Sequence, residues 1–406
     1  MFALSYLTVT LVTLVMISLS SSRRKRLTVL VFSALFFGLI GFMMVPKTTV
    51  FVDTVRFFNT LDETRTFAVT DKAEAWHYLM NVRGYNSVPV IGLIIFLISL
   101  QPENGWLTFL AATVDVGAGL YICFKQSNNG KNKKTLVLCV FLFLSLFNFN
   151  AGVTGIRNYM AGFAAICIVY KFSDEFNAIT LPFFLLLILI HPFVSIILLI
   201  YLFAGMYRRH NFIYAICCAL LLLQHYIQAS VFNIFSKLSY IPFFASLSYK
   251  STQYFGDGAY ITVSSSFSRV RSILLFCFYF FILVYGIRRK VNLPKRYIGF
   301  AIMMGCFTLG AFMDQALFSR CTSMLMLSVL PFICEIVKKN IDRATALPIP
   351  LSISAAVALI VFADNLRAGI RFEDIHMSWY SLCILIVLIL SMIVFLNLEG
   401  HKEHQR

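Results

Sequence analysis

Apolar stretches of about 16 to 20 residues recur along this chain from Ala3 to Asn397, divided by short polar and basic groups. A helix of that length crosses the ~30 Å hydrocarbon layer of a bilayer, so the pattern predicts an all-α, polytopic membrane protein. Lys and Arg gather at Arg23 to Arg26, Lys125 to Lys134, Lys171, Arg208 with Arg209, Arg288 to Arg296, and Lys338 to Arg343. Such groups mark the cytoplasmic ends of helices. Counting crossings between them predicts helices near 3–20, 27–45, 106–125, 135–151, 156–171, 178–190, 193–207, 211–229, 272–287, 297–313, 321–337, 347–363 and 379–397. That makes thirteen crossings, with the N-terminus outside and the C-terminus inside.

Two segments need separate treatment. Lys171 and Arg208 both fall inside, so Ile179 to Tyr207 must go out and return as two short helices. Pro192 places the turn at His191-Pro192, because proline cannot continue the hydrogen bonding of the preceding helix. Ser87 to Leu100 is apolar but too short for a full crossing, and reads as re-entrant or interfacial, which implies an internal cavity around it. The first apolar segment is followed, not preceded, by SSRRKR, the reverse of a cleaved signal peptide.

Composition narrows the picture. Hydrophobic residues are 59% of the 406 and charged residues 13%, which leaves no soluble domain. The chain reads as a single transmembrane domain, 1–406, with outer loops 46–86, 230–271 and 364–378. The net charge of +16 has no basic soluble module to carry it, so a nucleic-acid partner is excluded. The ten cysteines lie in or beside apolar windows and read as packing residues, not as a disulfide framework.

The outer face holds nine arginines and four lysines. The arginines are Arg56, Arg65, Arg83, Arg157, Arg269, Arg271, Arg320, Arg367 and Arg371. Guanidinium forks grip phosphate oxygens bidentately, whereas lysine acts as a point charge. A loop arginine here is expected to pair with Asp53, Asp62, Glu63, Glu373 or Asp374, or with lipid phosphates. Arg157 and Arg320 differ, because each lies at a predicted helix boundary beside apolar sequence, where a charge needs a partner. For Arg320 the alternatives are a snorkelling anchor or a pair with Asp314.

His191 either caps the broken hairpin by hydrogen-bonding a free carbonyl, or serves as a general base or a donor to substrate. Asp115, inside a helix, is expected to pair with a buried arginine, and His225, next to Gln224, to bond between helices. The aromatics of 230–271, among them Tyr240, Tyr249, Tyr254 and Tyr260, suit sugar rings and the headgroup belt equally. No Walker, GxSxG, CxxC or HExxH motif occurs, and no outward Asp-x-Asp pair is present to hold a metal with a nucleotide sugar. The expected chemistry therefore uses no metal and no cofactor, with a donor activated by a phosphate leaving group carried in the membrane.

GIRNYMAGFAAICIVYKF, followed by LILIHPFVSIILLIYL, resembles the arginine-bearing helix start and His-x-Ser-like turn of the EpsG/Wzy family of bacterial polysaccharide polymerases. VDTVRFFNTL with RGYNSVPVIGLI resembles that family's acidic and aromatic loop, and FSRCTSMLMLSVLPFI its late arginine. The family's Arg-Gln is Arg157-Asn158 here, and its His-x-Ser is spread from His191 to Ser195. The resemblance implies a GT-C-like membrane glycosyltransferase of O-antigen, lipopolysaccharide or exopolysaccharide biosynthesis. It would transfer an undecaprenyl diphosphate-linked oligosaccharide to the terminal sugar of another such unit, on the periplasmic face of the bacterial inner membrane. Its partners would be those lipid-linked donors and acceptors, membrane lipids and a chain-length regulator protein. Arg157 and Arg320 would meet the diphosphate, with Arg269 and Arg271 assisting and His191 as base or acceptor positioner. Asp53, Arg56, Tyr159 and Ser195 would bind substrate.

Other functions share parts of this pattern. A transporter of lipid-linked oligosaccharide would carry inverted repeats, and none is evident. An outer-face glycan ligase would use the same donor. A membrane acyltransferase would need a partnered histidine facing inside, where only His210 and the C-terminal histidines fall.

Overall fold

The computed structural model describes residues 2–47, 53–174, 177–227 and 266–343, and singly 237, 357 and 361. Every described element is helical, and no strand forms among the described residues. Among the described residues, four helices are long and apolar enough to cross a membrane: Arg23–Phe42, Gly105–Gln126, Arg269–Arg288 and Gln315–Ile341. The protein is therefore an all-α, membrane-embedded one. The helices expected at 347–363 and 379–397, the loop 364–378 and most of 230–271 lie outside the described residues.

The described residues divide into two compact units, one built from 1–199 with residues from 330 onward, the other from 200–329. In the first unit, α2 (Arg23–Phe42) packs on α6 (Gly105–Gln126) through small residues, and α1 (Phe2–Leu19) packs on α2 with the Tyr6 ring against Phe37. A Cβ on Gly41 would stand 2.7 Å from the Thr108 carbonyl oxygen, so the two backbones nearly touch there. Only residues without bulk permit that approach in a membrane, where close van der Waals packing stands in for hydrophobic exclusion.

Arg26 fixes one end of this bundle. Its guanidinium is buried and donates to the carbonyls of Ser20, Ser21, Gly130 and Lys131, tying the α1–α2 turn to the loop after α6. That loop turns sharply through left-handed Asn128, Asn129 and Gly130. Ser22 then caps α2 and Asn132 caps α7 (Lys133–Leu146), each accepting from a backbone N–H. Arg26→Ala strands those carbonyls, and we expect it to cost at least about 2 kcal/mol, read as a lowered unfolding midpoint of the purified protein.

The crossing expected at 135–151 is broken. α7 ends at Leu146, and α8 (Phe149–Thr154) begins only after Asn148, whose side chain accepts from the Ala151 N–H. Asparagine offers the backbone a local alternative to the helix, which ends α7 early. α9 (Ile156–Lys171) follows after Gly155, with the expected bounds.

The stretch 46–86, expected as a loop, is largely helical. α3 (Asp53–Thr70) and α4 (Lys72–His77) run into one π turn at Tyr78–Val82, and α5 (Pro89–Ser99) follows. α3 buries Thr54, Phe57, Thr60, Leu61 and Thr64 along one stripe. Eleven residues in α5 reach roughly 16 Å, about half a bilayer core, in keeping with a re-entrant or interfacial segment. α10 (Thr180–Ile188) and α11 (Val194–Ala204) are separated at His191-Pro192 as expected.

In the second unit, α12 (Asn211–Leu222), α13 (Ser266–Arg288) and α14 (Lys295–Gly310) precede α15 (Gln315–Arg343), which ends in the first unit. The Tyr214 hydroxyl donates to the Gly299 carbonyl at 2.8 Å, and Gln224 Nε2 donates to that of Phe307 at 2.7 Å. The interhelical bond expected of His225 is thus made by its neighbour, while the His225 ring stands edge-on to Tyr226. No disulfide forms among the described cysteines.

Candidate functional site

The start of α9 is built against α3. The Thr54 hydroxyl donates to the Val153 carbonyl at 2.7 Å, fixing the first turn of α3 on the end of α8. Two residues past Gly155, this places Arg157 over the buried ring of Phe57, its guanidinium carbon 5.1 Å from the ring centre. Arg56 lies over the same ring at 5.4 Å and reaches Asp53 at 3.1 Å. Two guanidinium groups thus share one aromatic ring, a stacking that lysine could not reproduce.

Tyr85 completes the group. It sits beyond left-handed Gly84, buried, with the charges of Arg157, Arg56 and Arg83 acting on its phenol and the Thr60 hydroxyl bonded to it. Burial raises its pKa above the ordinary tyrosine value despite those cations and that bond, which pull the other way. The phenol therefore stays neutral and able to donate at physiological pH.

The other arginines nearby are held by acids. Arg65 binds Asp62 and Asn104, each at 2.6 Å, and Arg83 pairs with Glu63, which also accepts from Tyr78 at 2.6 Å. These pairs are the ones expected for loop arginines, and they brace α3 against the turns flanking α5. Tyr159 is buried edge-on to Phe163, two residues along α9 from Arg157.

Asp115 departs from expectation. It is wholly buried, yet among the described residues neither carboxylate oxygen accepts a hydrogen bond, and no ion pair reaches it. A Cβ on Gly152 would lie 2.8 Å from its Oδ2, so the carboxyl meets the glycine face of α8 and not an arginine. Arg157 emerges after the break at Gly155 and is directed to Phe57 instead.

At the hairpin tip, His191 Nδ1 accepts from the Phe193 N–H at 3.2 Å, and Ser195 Oγ donates to the Pro192 carbonyl at 2.7 Å. The ring caps the start of α11 by accepting. In the neutral imidazole this leaves the proton on Nε2, a donor.

The remaining expected residues belong to the second unit. Arg269 is exposed with its guanidinium 5.7 Å from the Phe312 ring, and Arg271 is buried and acts on Tyr279. Asp314 caps α15 by accepting from the Leu317 N–H at 3.0 Å. Arg320 therefore lies inside α15, near Cys321, and not at its boundary.

Phe57 and Tyr85 were not singled out from the sequence. The signal available was an aromatic directly after Arg56 and a Gly-Tyr turn before Pro89, both common features. Comparison with family models, with curated proteins and with solved structures returns no match.

Proposed function

We propose that this chain is a polysaccharide polymerase, a membrane glycosyltransferase that moves an undecaprenyl diphosphate-linked oligosaccharide onto the terminal sugar of a second lipid-linked unit. In this reading the full chain makes thirteen crossings in a GT-C-like arrangement within the bacterial inner membrane, and the start of α9 faces the periplasm. The observation that supports it best is Arg157, stacked on Phe57 with Arg56 and beside the neutral Tyr85 hydroxyl.

Breaking the bond from sugar C1 to the diphosphate builds negative charge on the leaving oxygen. Fixed guanidinium groups and a phenol donor stabilise that charge without reorganising, and more strongly in a site poor in water. The acceptor hydroxyl oxygen bonds to C1 as the bond from C1 to the diphosphate breaks, and its proton passes to the departing diphosphate. His191, with Nδ1 engaged in the cap, orients the acceptor through Nε2–H. His191→Asn should preserve the cap and most of the folded protein, whereas His191→Ala should lose it at a cost of about 1 kcal/mol; unfolding midpoints of both variants check this.

Reconstitution in liposomes with lipid diphosphate-linked repeat units tests the activity. A polymerase releases undecaprenyl diphosphate and lengthens the glycan. Movement of intact lipid-linked unit across the bilayer, with no new glycosidic bond, would make the protein a transporter. Transfer to a lipid core alone would make it a ligase.

A further inference from the structure

The second unit carries a dense group of cations that the proposed activity does not use. The turn from α11 into α12 presents Arg208 and Arg209, and the turn from α13 into α14 presents Arg288, Arg289 and Lys295, all exposed. The two turns are locked side by side. Arg296, half-buried, stacks on Tyr201 at 4.8 Å and donates through Nε to its carbonyl at 3.4 Å. Gly299 leaves room for Tyr207, whose Cβ would lie 2.7 Å from a Cβ placed there.

This packing brings Arg209 close enough to Arg296 for its charge to weigh against the Arg296 cation. Helices α11 to α14 and the two turns contain no acidic residue. Holding like charges together in a partly desolvated place costs free energy unless an anion lies between them. Next to the cations the surface turns apolar: Leu202, Phe203, Phe212, Ile213 and Ile216 are exposed, Phe212 to 79%. Phosphate-sized charge at one level and a hydrocarbon-facing belt below it is the chemistry of a phospholipid.

We infer that the paired turns around Arg209 and Arg296 form a binding site for the headgroup phosphate of an anionic phospholipid, its acyl chains lying along the Phe203–Phe212–Ile216 face. Basic pockets between membrane helices hold anionic headgroups in this way, each cation adding to the attraction. The inference is independent of the proposed activity.

The test titrates the purified full chain, in a neutral detergent, with phosphatidylglycerol or phosphatidylcholine, following the unfolding midpoint and the lipid retained in native mass spectra. Phosphatidylglycerol should raise the midpoint and stay bound, and phosphatidylcholine should not. Arg209→Gln with Lys295→Gln alters exposed side chains, so the lipid-free midpoint should hold while affinity for phosphatidylglycerol falls by about thirtyfold. Arg296→Gln removes one cation and should weaken affinity about fivefold. Equal effects of the two lipids, or unchanged affinity in the double variant, would overturn the inference. So would the same rise from millimolar inorganic phosphate, which marks a free-anion site, or tighter binding of polyglutamate, which marks a surface for acidic polypeptide.

Discussion

Arg157→Ala is expected to slow sugar transfer by roughly 10²–10³, with a smaller effect on substrate binding, because it removes a donor whose interaction strengthens as leaving-group charge develops. The guanidinium is held in place by the Phe57 ring, so its stabilisation needs little rearrangement during the reaction. Arg157→Lys keeps a charge but loses both the planar stacking and the fork, and should recover only part of the rate. Arg65→Ala is the contrasting variant. Its partners are Asp62 and Asn104 in an exposed network, and such pairs contribute little, so its rate should stay near that of the wild type. Single-turnover rates on saturating lipid-linked donor separate these cases.

Gly41→Leu is expected to break the packing of α2 on α6. A Cβ there would meet the Thr108 carbonyl oxygen at 2.7 Å and the Ala112 Cβ at 2.9 Å. A backbone carbonyl cannot swing aside as a flexible side chain does, so the helices must separate. Overpacking in a tight interface costs typically about 1–3 kcal/mol, and a leucine at this distance belongs at the upper end. Gly117→Ala gives the counterpart on α6, since its new Cβ would meet only Ala34 at 3.8 Å. Unfolding midpoints in detergent should fall sharply for Gly41→Leu and stay unchanged for Gly117→Ala.

Sequence pattern located those helices whose membrane exposure or burial makes them apolar on all sides. α9 was legible with the bounds Ile156–Lys171, and the break at His191-Pro192 followed from proline chemistry alone. α3 was not legible, because its buried stripe relies on Thr54, Thr60 and Thr64. Threonines that bond back to their own helix, as Thr60 and Thr64 do, can be buried without adding to a hydropathy pattern. The same limit hid the break at Asn148, a single polar residue within an apolar run.

The candidate site divides similarly. Arg157 stood out because a charge beside apolar sequence needs a reason to be there, and the acid-paired fates of Arg65 and Arg83 followed from nearby Asp62 and Glu63. Phe57 and Tyr85 could not be recognised, since their importance comes from contact between α3, the turn before α5 and α9, up to a hundred residues apart. Asp115 misled for the same reason. Its neighbour is set by the glycine face of α8, which no feature of the local sequence announces.

Purified protein incubated with lipid diphosphate-linked repeat units, with the products resolved on a gel and wild type beside Arg157→Ala, is the decisive experiment. A polymerase with Arg157 at its diphosphate gives a ladder of polymer lengths from the wild type and none from the variant. Unextended repeat units from the wild type, or an undiminished ladder from Arg157→Ala, would contradict it.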